Sequence, residues 1–178
     1  MQLKQLRIPI GIVCGLLIVI FGVFMFSNFI YRGLTLEAHI FPLFESLNTI
    51  SDGIYALLGT AYTVNIVDEF SAAALAQSSV TTIFFGSSVW PEFLTWCTAG
   101  LIVSIFAKGF KRGIYSALVL HGFVFLFYVV FAFFAGADIG AQFVSNIGLT
   151  FGKLLSAFVF LIPGALIGGI VSGPYEES

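Results

Sequence analysis

Four stretches of the chain lack the alternation of apolar and polar positions that a water-exposed element needs. Residues 8–26, IPIGIVCGLLIVIFGVFMF, carry no polar side chain. About 20 apolar residues, rising about 1.5 Å each, cross a hydrocarbon core, so this run predicts a spanning helix over about 8–30. A second span is expected over 91–107. It opens with WPEFLTW, where Pro91 suits a first helical position and Glu92 falls in the first turn, favoured by the helix dipole. Trp90 and Trp96 are placed as interfacial anchors. The third run, 113–136, is broken only by Ser116 and His121, and the fourth covers 147–171. Asn146 is a candidate N-cap, Pro163 a candidate kink, and Ser172-Gly173-Pro174 a stop. The pattern predicts an all-α integral membrane protein, one membrane domain with four transmembrane helices.

Residues 31–89 follow a different rhythm. From Pro42, apolar residues recur at 43, 47, 50, 54, 57 and 61, spacings of three and four that make one face of a helix. An amphipathic helix of about 20 residues is expected, lying in the membrane interface or packed on the bundle. DEFSAAALAQSSV suggests a second short helix, and TTIFFGSSVW a strand or an extended lead-in. The competing pattern, two further spans over 50–67 and 70–89, would leave Asp52, Asn65 and Gln77 to find partners in lipid. The expectation is therefore a partly helical outer region between the first two spans.

Charge fixes the direction. Charged residues make up 9% of the chain and hydrophobic ones 59%, against about 25% charged in soluble domains. Three of the seven basic residues, Lys108, Lys111 and Arg112, crowd the turn between the second and third runs. With Lys4 and Arg7 they fall on one side, whereas seven of the nine acids fall on the other. Basic residues stay in the cytoplasm, so both termini are expected inside; the compact chain and its lack of sorting signals suggest a prokaryotic plasma membrane. The cluster is a topology determinant with some attraction for anionic lipid headgroups. Five residues between two spans form no extended basic surface, so no nucleic-acid partner is expected. Lys4 and Arg7 ahead of an apolar run also suit a signal peptide, but the run is long and no cleavage pattern follows, so the first helix is expected to be retained. Cys14 and Cys97 lie toward opposite faces and are not expected to pair.

Helices in lipid associate through small residues. Glycines four apart recur along the chain, notably Gly11 and Gly15 in the first span, and Gly164 and Gly168 beside Gly169 in the fourth. These are the expected helix-packing faces, within the monomer or against a partner. The third span is rich in Phe over much of its circumference, which suits contact with lipid.

Chemistry is sparse. His121 is the one ionisable residue placed deep in a span, roughly 12 Å from the inner end of its helix, with Ser104 and Thr98 at similar depth. Such residues are functional candidates; the expected state is a neutral His bonded to Ser104 or to a backbone carbonyl. Haem or metal ligation would need a second ligand, and the one other His, His39, lies outside. Glu37, His39, Glu45, Asp68 and Glu69 match no ligand spacing. Gly-x-Ser-x-Gly, His-Glu-x-x-His and phosphate-loop motifs are absent, and the two halves of the chain show no inverted repeat. Neither an enzyme acting alone nor a cofactor is expected.

The layout, with a long first outer loop and a short inner turn, is similar to that of tetraspan proteins such as claudins. The Trp and cysteine-pair pattern of the claudin outer loop is absent, and no function carries over. The leading expectation is a non-catalytic membrane subunit, in contact with lipids and with other subunits of a larger complex. The alternative is a small homo-oligomeric channel or carrier for cations or small solutes, lined by Thr95, Thr98, Ser104 and His121. A ligand- or lipid-binding outer module on a membrane anchor is a third reading.

Overall fold

Among the described residues four helices are long and apolar enough to cross a membrane, and a folded cap covers one end of their bundle. The structure, a computed structural model, describes residues 2–75 and 89–173. Helix α1 covers Gln2–Phe26, with Pro9 inside it. After it Asn28, Phe29 and Arg32 take positive φ values of 54°, 64° and 50°, and Gly33 one of 81°. Left-handed backbone at Arg32 and Gly33 is what a tight two-residue hairpin requires, and it pairs β1 (Ile30–Tyr31) with β2 (Leu34–Thr35). A π-helical turn over Leu36–Ile40 and a 3-10 turn over Phe41–Phe44 follow. The cap continues with α2 (Ile50–Thr60) and α3 (Ile66–Leu75). The remaining long helices are α4 (Val89–Ala107), α5 (Phe110–Phe134) and α6 (Ile147–Val171). The expected strand or lead-in over TTIFFGSSVW falls almost wholly outside the described residues.

The continuous amphipathic helix expected from Pro42 is broken. Thr49 Oγ1 donates to the carbonyls of Leu43 (2.8 Å) and Ser46 (3.1 Å), and Ser46 Oγ accepts from the Asn48 amide. Hydroxyls that bond nearby backbone compete with helical hydrogen bonds, so residues 45–49 form a turn. Leu47 is consequently 89% exposed, while Leu57 and Ala61 enter the core. The 11 residues of α2 rise about 16 Å, roughly half of a hydrocarbon core.

Small residues decide how the bundle closes. On α1, a Cβ at Gly11 would lie 2.7 Å from Phe106 Cβ, at Gly15 2.6 Å from Val103 Cγ2, and at Gly22 2.9 Å from Thr95 Cγ2. Those three glycines therefore form one groove for α4. The contact between α4 and α6 is closer still. A Cβ at Gly164 would run into the Cys97 carbonyl, one at Gly168 into the Leu101 carbonyl, and one at Gly100 into the Leu161 carbonyl. Backbone rests on backbone from both sides, the arrangement small residues permit in lipid.

The least hydrophobic span is among the most enclosed: 44% of the apolar window of α4 is buried, against 22% for the Phe-rich α5. Phe123, Phe127, Phe133 and Phe134 of α5 point out of the bundle. Pro163 sits inside α6 without ending it, and Asn146 stands at the N-cap of that helix as expected, but its side chain makes no cap hydrogen bond. Its amide donates to the Ala141 carbonyl at 2.9 Å instead.

Candidate functional site

Glu92, Trp96, Ala99 and Val103 repeat at intervals of four and three and are all fully buried, so they define the inward stripe of α4. At the cap end of this stripe lies the Glu92 carboxylate. Past α2 the chain turns at Ala61 and Tyr62, then passes over the first turn of α4. That passage brings Thr63 Oγ1 and the Val64 amide to Glu92 Oε2, each donating at 2.9 Å. The hairpin contributes Tyr31, whose hydroxyl lies 2.7 Å from Thr63 Oγ1 and donates to Oε2 at 3.5 Å. One carboxylate oxygen thus gathers three segments of the chain. The other, Oε1, is buried with no hydrogen-bond partner among the described residues.

A carboxylate out of water is costly unless its oxygens are satisfied, and the nearest cation does not bond it. Arg32 reaches Glu69 on the surface at 3.4 Å and lies over the Tyr31 ring. Burial, and then the neighbouring Glu92 charge, push the Tyr31 hydroxyl up to about 12. Burial also raises Tyr62 well above the ordinary tyrosine value. The sequence placed Glu92 in the first turn but on the solvated acidic side; the cap closes over it.

One turn further in is Trp96, which was expected to anchor at the interface. It is fully buried, and its Nε1 donates to the Ala61 carbonyl at 2.8 Å. The correction has a physical cause: the cap brings an unpaired carbonyl to the indole, and that position satisfies both. Against Trp96 stand His121 at 5.2 Å and Tyr62 at 5.4 Å between ring centroids. Tyr62 and Phe158 also meet His121 edge-on. His121 is therefore held in an aromatic cage, and its Nδ1 is buried without a hydrogen-bond partner among the described residues. The expected bond to Ser104 is not made. Ser104 lies at the other end of α4, where its Cβ fills the space over Gly113 and Gly168, and its Oγ likewise has no partner among the described residues. Thr98 is half-buried.

A second set of contacts ties the cap to α6. Asn65 donates to Asp68 Oδ2 at 2.8 Å, while Ser156 Oγ accepts from the Ile66 amide and donates to the Gly152 carbonyl. Gly152 leaves room for the Asn65 side chain. Elsewhere in the cap, His39 Nδ1 accepts from the Thr35 amide at 3.1 Å. Among the described residues no three His, Cys, Asp or Glu side chains converge on a metal-sized space.

At the far end of the bundle, Lys108 and Gly109 turn the chain with φ values of 53° and 91°. Lys108, Lys111 and Arg112 line an open cleft there beside Gly169 and Gly173. Gly169 is in turn packed on Phe110 Cα. Chemically, then, the described residues offer an acceptor that holds backbone and hydroxyl donors, and an aromatic cage. The stripe 92–96–99–103 was available in the sequence as helical spacing; only the cap that turns Glu92 into a buried group was not. No protein-family model, curated protein or solved structure matches this chain.

Proposed function

We propose that this multi-pass membrane protein is a non-catalytic subunit of a larger membrane complex. In this reading both termini face the cytoplasm of a prokaryotic cell and the cap faces outward. Lys108, Lys111 and Arg112 at one end, with acids on the cap, support that direction through the positive-inside rule.

The observation that carries the reading is the contrast within the cap. Its inner side is pinned by Glu92, Trp96 and Ser156. Its outer side presents Leu47 at 89%, Ile30 at 61% and Phe29 at 58% exposure, beyond the end of α1. A fixed, apolar surface suits a docking element. The glycine faces take the first of their two expected roles, packing within the monomer. They are occupied by neighbouring helices of the same chain, so partners meet the cap and the Phe-rich side of α5. The homo-oligomeric channel has less support, because Thr95 and Ser104 are enclosed against Gly22 and Gly113.

Native mass spectrometry of the protein, extracted from its own membranes in mild detergent, tests the proposal. Foreign subunits in fixed ratio are expected, and Leu47→Asp combined with Ile30→Asp is expected to release them while leaving a monodisperse chain. A pure homo-oligomer would overturn the reading in favour of a channel or carrier.

A further inference from the structure

The cleft opposite the cap, about 500 Å³ in volume, lies between the α4–α5 turn and the end of α6. It is lined chiefly by Lys108, Phe110, Lys111, Arg112, Gly169 and Ile170. The positive-inside rule explains the side on which these cations lie. It does not require them to surround one concavity, where like charges repel. Among the described residues neither Lys108 nor Lys111 makes a salt bridge. The frame that carries them is fixed. The Gly109 amide donates to Ser172 Oγ at 3.2 Å, and Ser172 Oγ donates to the Gly169 carbonyl at 3.2 Å. A Cβ at Gly169 would lie 2.9 Å from Phe110 Cα, so the start of α5 rests directly on α6.

Depth identifies what the cleft meets. Helices α5 and α6 have 25 residues each, a rise of about 37 Å against a hydrocarbon core of about 30 Å. Their ends therefore reach headgroup level. Phe110 is 48% exposed and Ile170 69%, so the cleft has bare apolar walls as well as cations. Lysines without counter-charge beside apolar walls suit a ligand that is anionic at one end and hydrocarbon at the other.

We propose that this cleft binds one anionic phospholipid, its phosphate between Lys108 and Lys111 and its acyl chains along Phe110 and Ile170. Basic pockets between spanning helices take such headgroups, and a fixed frame lowers the cost of binding. A defined site goes beyond the diffuse attraction of a basic segment, in which every cation at this end would count alike. It needs only this chain and is independent of the subunit proposal.

Lipid titration of the purified full-length chain, followed by native mass spectrometry, tests it. One molecule of phosphatidylglycerol is expected to bind about tenfold more tightly than phosphatidylcholine, as one charge-assisted hydrogen bond implies. Lys108→Met with Lys111→Met should abolish that preference, and Lys108→Arg with Lys111→Arg should retain it. Lys4→Met with Arg7→Met removes the same charge from the start of α1, whose Gly11 packs on Phe106 at this end of α4. That pair should leave the preference intact. Equal binding of the two lipids by the unaltered chain would overturn the proposal. Equal losses from the two methionine pairs would overturn it too, because they would mark a diffuse attraction. Displacement of the lipid by equimolar inorganic phosphate would overturn the lipid assignment and point to a soluble phosphate ester. A preference that emerges only after Glu176→Gln with Glu177→Gln would overturn it in favour of the chain's own acids as occupant.

Discussion

The two ends of α4 are held by opposite physics. Toward the turn end it meets α6 along a seam of Gly100, Gly164 and Gly168, where main chain touches main chain and no polar side chain is needed. At the cap end it is held by Glu92 and Trp96, whose hydrogen bonds reach Thr63, Val64 and Ala61. The seam gains from dispersion at close range, which lipid tails cannot supply as well between bulky side chains. The latch gains from satisfying groups that would otherwise be buried without partners. A seam of this kind tolerates no added volume, whereas a latch tolerates volume but not a lost acceptor. Substitutions at the two ends should therefore fail in different ways.

The largest effect is expected at the seam. Gly164→Ala adds one methyl where the Cys97 carbonyl already sits, and main chain has little freedom to move aside. Overpacking of this kind costs about 3 kcal/mol or more, and α4 should separate from α6. Denaturant titration in detergent would show loss of the whole folded transition. A Gly164→Ala protein of unchanged stability would mean the seam is loose and the comparison wrong.

At the latch the expected loss is smaller and local. Glu92→Ala leaves Thr63 Oγ1 and the Val64 amide without an acceptor, at a cost of about 1–3 kcal/mol. Limited proteolysis should then cut residues 61–65 while the spans stay protected. Glu92→Gln keeps a carbonyl oxygen for the same donors and should largely preserve the cap. Equal damage from both variants would show that the negative charge, not the acceptor, holds the latch.

Much of this was legible in advance. Long apolar runs mark spans because nothing else hides such surface, and the four helices fall close to the expected limits. Gly11, Gly15, Gly164 and Gly168 stood out by spacing, but spacing does not say which helix fills a groove; α4 fills all four. Glu92 and Trp96 misled for a common reason. Near a span end a carboxylate and an indole look interfacial, and only the cap, a contact between residues about 30 apart in sequence, makes them interior. The helix expected from Pro42 failed because periodicity at 43 and 47 ignores hydroxyls at 46 and 49 that bond the chain to itself.

The smallest effect separates latch from seam by pH. Unfolded Tyr31 would ionise near the ordinary tyrosine value of about 10, whereas in the folded chain burial and Glu92 hold it up to about 12. Its folded value is raised, so the neutral hydroxyl contributes stability that is fully present below the unfolded value and declines as pH rises from about 10 to about 12. Tyr62, also raised by burial, acts in the same direction. Apart from the Cys97 thiol, the seam side chains Gly100, Leu161, Gly164 and Gly168 have nothing to titrate. Raising the pH through this window should loosen the cap first. The signal is the fluorescence of Trp96, which bonds Ala61 and faces Tyr62, while helix content follows only later. Tyr31→Phe should blunt the early change. If fluorescence and helix content instead moved together in both proteins, the cap and the seam would be one cooperative unit, and the division of α4 into two kinds of contact would have no energetic meaning.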